Sequence, residues 1–154
     1  MVVEPKKNKN MGLKFAFAVN SEGFFSKKHF GDTYRFLIYE VVDNKLVHKD
    51  SILNDFSSFD EEQEHGSKKK AKAIMDFLKE KDVGVMVSMQ FGKNVKRINE
   101  LFIPIIIYSE NIQESIDAIN KHMHWILDEW SEKQTDYKLF TIKSGILKSV
   151  IKKK

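Results

Sequence analysis

Three short stretches gather the side chains that could do chemistry: Lys27-Lys28-His29-Phe30-Gly31, His65-Gly66-Ser67 and Gly92-Lys93-Asn94. A histidine supplies an imidazole that titrates near neutral pH and binds borderline metals. A glycine admits close backbone approach, and the lysines add positive charge. Cysteine is absent, so no disulfide, thiolate zinc site or cysteine nucleophile can form. A metal would have to use His, carboxylate, Met or backbone oxygen. His29 therefore reads either as a ligand or as a loop histidine fixing its own turn. His65 reads first as a pre-cap residue before a helix, and second as a ligand. Met89 beside a buried strand reads first as core filling. His122 and His124, two apart on a helix, do not share a face and make no metal pair by themselves.

Positioning these residues takes a framework of strands and helices. Leu13 to Val19 is an apolar run that enters a loop at Asn20, and Tyr34 to Val42 and Leu46 to Leu53 flank Asp43-Asn44, a pair suited to a hairpin turn. Asn54 to Glu64 is acidic and reads as a loop ending at His65-Gly66-Ser67. From Ser67, a plausible N-cap, Ala71, Ile74, Met75 and Leu78 recur at helical spacing opposite a band of lysines. Val83 to Val87 is a buried strand; Val95, Ile98 and Phe102 mark a brief helix; Ile103 to Tyr108 is a fifth strand, placed at an edge by Pro104. Ile112, Ile116, Ile119, Met123, Ile126 and Trp130 trace the longest helix, with Asn111 and Glu114 as a capping-box-like start. The order is β-β-β-α-β-α-β-α, a five-stranded mixed sheet between helical layers. Residues 131 to 154 fit a weak amphipathic helix or an added strand pair.

A chain of 154 residues with 42% hydrophobic and 31% charged residues is one soluble domain. No apolar run suits a membrane span or a secretion signal, so a cytoplasmic location is expected. The net charge is +4, but residues 1 to 10, expected to be a disordered tail, contribute +2 and residues 131 to 154 contribute +5, which leaves the body at −3. An acidic body with basic ends argues against a nucleic-acid face, which needs Lys and Arg on the folded surface.

If the first strand points up, hairpin and crossover rules send the loops after strands one, three, four and five to the same upper end. Ligands of open α/β sheets bind at such an end, most plausibly here between strands one and four, with His29 and Gly92 flanking the crevice. The helix start at Gly92-Lys93-Asn94, with Lys27 and Lys28, forecasts an anionic ligand. Enzymatic readings lack support: there is no P-loop, no Gly-x-Ser-x-Gly elbow, and no carboxylate on the first strand for two-metal phosphodiester chemistry.

The run from Leu13 through His29-Phe30-Gly31, the strand Arg35 to Val42, His65-Gly66, Val83 to Ser88, Gly92-Lys93-Asn94 and Ile103 to Tyr108 resembles the dinitrogenase iron-molybdenum cofactor biosynthesis family. The likeness to this NifX-type domain covers about Met11 to Trp130, leaving 131 to 154 as a basic extension. It implies a three-layer α/β/α, ribonuclease-H-like fold and a non-enzymatic carrier of an iron-sulfur or iron-molybdenum type cluster. His29 is the implied metal ligand, and a cluster donor or acceptor protein the implied partner. A cluster brings its own sulfides and negative charge, so one histidine and a positive cradle can suffice. The acidic run Asp60, Glu61, Glu62 and Glu64 beside His65 departs from that pattern. The alternative is a regulatory or interaction module that binds a small anion or a protein partner without metal.

Overall fold

Large and small residues alternate along the first strand, β1 (Lys14–Val19), and this decides what packs on each side of the sheet. Phe15, Phe17 and Val19 enter one core cluster, while Ala16 and Ala18 enter the other, where their small size lets neighbouring side chains approach the strand. In the computed structural model, which describes residues 12–55, 64–92 and 95–150, β2 (Arg35–Val42) pairs antiparallel with β1 and with β3 (Lys45–Leu53). Asp43 and Asn44 join the hairpin with φ of 51° and 64°. A two-residue turn that matches strand twist needs this left-handed pair, and Asp and Asn tolerate it better than most residues. β4 (Val83–Ser88) lies parallel to β1 on its other side, and β5 (Ile103–Ile107) parallel to β4.

Among the described residues the sheet has seven strands rather than five. β6 (Phe140–Lys143) pairs parallel with β5, and β7 (Ile146–Ser149) pairs antiparallel with β6, giving the order β3-β2-β1-β4-β5-β6-β7. The C-terminal segment is thus a strand pair, and β5 is an inner strand despite Pro104. The β5 to β6 pairing begins at Ile105, one residue past the proline, so the missing N–H lies outside that ladder.

α1 (Glu64–Glu80) and α2 (Val95–Leu101) cover the alanine side of β1 through Ile74, Met75, Leu78 and Ile98. α1 begins three residues before Ser67, so Ser67 is not its cap and His65-Gly66 belongs to its first turn rather than to a loop. An acidic residue at that start suits the positive end of the helix dipole. The phenylalanine side is covered by α3 (Ile112–Lys121) and α4 (Met123–Glu132). Asn111 caps α3, its Oδ1 accepting the Glu114 N–H at 2.9 Å.

The single helix expected from the 112 to 130 periodicity is broken at His122, whose φ of −122° and ψ of 28° leave the helical region. Ile116, Ile119, Met123 and Ile126 still enter one core, so the apolar period survives the break and hides it. The break also brings the His122 and His124 rings within 6.4 Å, both against Trp125.

Gly84 explains how α4 reaches the sheet. A Cβ at this buried position would stand 2.6 Å from Leu13 Cδ1 and 2.8 Å from the Trp130 ring. Tyr39, on β2 with its ring against Phe17, has its phenol pKa pushed up by burial. Among the described residues no helix is long and apolar enough to cross a membrane.

Candidate functional site

Because β1, β3, β4 and β5 all run in one direction, the connections that follow them leave the sheet at one end. The connection after β1 is pinned there on both faces. Phe25 is fully buried with the phenylalanine-side core, and its N–H donates to the Glu110 carbonyl at 3.1 Å. Phe30 is buried in the alanine-side core. With anchors five residues apart on opposite faces, the intervening residues must cross the top of the sheet. Lys27, Lys28 and His29 form the exposed part of that crossing.

The crossing is tied to the connection after β4. The Phe30 N–H donates to the Gln90 carbonyl at 2.9 Å, and Gln90 Nε2 donates to the Lys27 carbonyl at 2.6 Å. The Phe30 ring stacks on Phe91 at 5.6 Å and packs against Phe36 at 4.9 Å. These bonds lay the His29 ring against Gly92. A Cβ on Gly92 would stand 2.9 Å from His29 Nδ1, 3.0 Å from Cε1 and 3.4 Å from Cγ. Similar distances to three successive ring atoms place the face of the imidazole, rather than one edge, over Gly92. Gly92 also has a φ of +64°, where a side chain is strained. Gly92→Ala should lower stability by about 1–2 kcal/mol and displace the His29 ring. Urea unfolding and the His29 imidazole NMR signals check both effects; unmoved signals would show that the contact does not set the ring.

Gly31 behaves differently from expectation. It has no left-handed φ, and a Cβ there would meet Ile74 and Lys70 at ordinary contact distances of 3.5 and 3.8 Å. The turn over Phe30–Asp32 is instead closed by the Asp32 N–H donating to the His29 carbonyl at 2.8 Å.

A buried polar scaffold beneath the turn has no signature in the sequence. Thr33 Oγ1 donates to the Val19 carbonyl at 2.7 Å, and Asn54 Nδ2 donates to the carbonyls of Gly31 and Thr33 at 3.0 and 2.9 Å. Lys70 was expected on the solvated band of α1, but its side chain is 3% exposed and forms an ion pair with Asp32.

The positive cradle is smaller than the residue types suggest. Lys27 pairs with Glu110 at 2.9 Å, whereas Lys28 is exposed and borders, with Asp32, Thr33 and Tyr34, an open depression of about 400 Å³. Met89 packs against the core. Lys93 and Asn94 lie outside the described residues, as do Asp60, Glu61, Glu62 and the tail 1–10. Gly92 is thus brought to His29, and His65 is placed at the start of α1. Among the described residues no three His, Asp or Glu side chains cluster as metal ligands. What the arrangement offers is an exposed imidazole, its face packed on Gly92, on a braced turn.

Residues 11–122 match the family model described as dinitrogenase iron-molybdenum cofactor. The chain belongs to this family. A comparison with curated proteins gives no match. Among solved structures, the chain is similar to the NMR structure of a Methanococcus jannaschii protein provisionally named a dinitrogenase, with 17% identity, a TM-score of 0.53, and coverage of 73% of this chain and 91% of that one. A crystal structure of a protein of the same description from Methanocaldococcus jannaschii gives 13% identity, a TM-score of 0.41, and coverage of 91% and 96%. The first likeness is one of fold. The matched span contains the His29-Phe30-Gly31 turn and Gly92.

Proposed function

We propose that this family member is a non-enzymatic carrier, on a ribonuclease-H-like scaffold, whose cargo is an iron-sulfur or iron-molybdenum type cluster. His29 is the protein's ligand to that cargo, through an imidazole nitrogen. The observation that carries this reading is the imidazole's placement, exposed on the turn with its ring face against Gly92, at the carboxyl end of the parallel strands. An imidazole nitrogen suits a borderline metal site. A cluster that brings its own sulfides can be held by a single protein donor and exchanged readily with a donor or acceptor protein. Lys28 supplies positive charge toward an anionic cargo. Lys27, Lys28 and Lys70 against Asp32 and Glu110 leave a surplus of one positive charge among these described groups. Lys93 and Asn94 would complete the cradle from the other loop, and His65 is the secondary candidate ligand.

The test is anaerobic. The purified chain is offered a thiolate-capped iron-sulfur cluster or isolated iron-molybdenum cofactor, separated by gel filtration, and assayed for iron, molybdenum and visible absorption. Wild type should retain the cluster, and His29→Ala should bind it at least about tenfold more weakly, since even outer-shell support of a metal ligand is worth roughly 10–100-fold in affinity. Absence of uptake by wild type, or equal uptake by His29→Ala, would sink the carrier reading and leave the metal-free interaction module.

A further inference from the structure

We propose that Lys70 is a positioning residue for His29: its buried ammonium, through Asp32, fixes the turn that presents the imidazole. The inference rests on the carrier reading only for what His29 holds; the positioning itself is a property of the turn. Lys70 stands in a run of lysines on α1, and any of them could remain in water, yet its side chain is 3% exposed and its Nζ meets Asp32 Oδ1. Taking an ammonium out of water is costly, and even a good ion pair often does no better for stability than an apolar residue of the same size. Apolar packing was available, because Ile74, one turn further along α1, is buried in the alanine-side core with Phe30. What the charge adds is direction.

Asp32 is the last residue of the short turn, and its N–H closes that turn on the His29 carbonyl at 2.8 Å. The carbonyls on either side of Asp32, those of Gly31 and Thr33, are held by Asn54 Nδ2. Residues 31–33 are thereby gripped from α1 by Lys70 and from the end of β3 by Asn54. The exposed tip is left to Lys28 and His29. Asp32 is 30% exposed, so water can solvate its carboxylate if the lysine charge is removed. The loss should therefore fall on the turn more than on the fold.

The test compares wild type with Lys70→Met, and with Lys70→Met combined with Asp32→Asn, which removes both charges of the pair. Amide hydrogen exchange is followed at Phe30 and Asp32, whose N–H groups donate to Gln90 and His29, and at strand amides of β1 and β4. Both variants should accelerate exchange at Phe30 and Asp32 at least about tenfold relative to the strand amides. They should also weaken retention of the thiolate-capped cluster about tenfold although His29 is intact. Uniform acceleration of all amides would show that Lys70 only holds the fold, and unchanged exchange at the turn would show that the ion pair positions nothing; either overturns the proposal. If wild type itself takes up no cluster, the carrier reading fails, and the exchange contrast still decides the role of Lys70.

Discussion

Deleting residues 134–154 should abolish cooperative folding rather than trim an accessory tail. Tyr137, Phe140, Ile142 and Leu147 are at most 3% exposed and belong to the core on the phenylalanine side of the sheet. Burying an apolar side chain of this size contributes about 1.5–3 kcal/mol, so the four together account for roughly 6–12 kcal/mol. Native domains are stable by only about 5–15 kcal/mol in total. The deletion would also turn β5 into an edge whose Ile105 and Ile107 lose their neighbours on β6. Tyr137 further ties this segment to α2, its N–H donating to the Asn99 carbonyl at 2.8 Å. Circular dichroism during heating gives the answer: a sharp transition within a few degrees of wild type would show that the hairpin is dispensable. The family match ends at residue 122, so this dependence follows from the packing alone.

The same segment shows where sequence reading reaches its limit. Long apolar runs and a turn pair with a strict backbone requirement declare themselves, as Asp43-Asn44 does between β2 and β3. Convergence of the His29 and Gly92 loops follows from strand order and was legible for that reason. β6 and β7 have four residues each with one lysine apiece, and the mixed apolar and lysine pattern of the segment matches a short amphipathic helix equally well. Ser144-Gly145, with φ of 52° and 73°, was the overlooked turn signal between them. The break at His122 left no trace because the apolar period runs through it. Lys70 is harder still: in a row of lysines nothing local marks it as turning inward, because its partner Asp32 is distant in sequence. Thr33 and Asn54 are of the same kind, polar residues whose partners are backbone carbonyls supplied by other elements.

Phe30→Ala should be the most destabilising single change at the site, lowering the unfolding free energy by about 3–5 kcal/mol. Phe30 is 3% exposed and contacts both Phe36 and Phe91. In sequence it follows His29, and Phe91 precedes Gly92. The stack between the two phenylalanines is therefore the contact that brings the imidazole and the glycine together. Removing one ring leaves a cavity at the junction of the loops and frees the segment that Phe30 N–H ties to Gln90. His29 is exposed, so His29→Ala should change stability by no more than about 0.5 kcal/mol while removing the ligand. Urea titrations of the two variants separate anchor from ligand. A loss below about 1 kcal/mol for Phe30→Ala would mean that the loop is held mainly by its hydrogen bonds. A large loss for His29→Ala would mean that the imidazole is itself a structural part of the turn, which is the reading the carrier proposal has to beat.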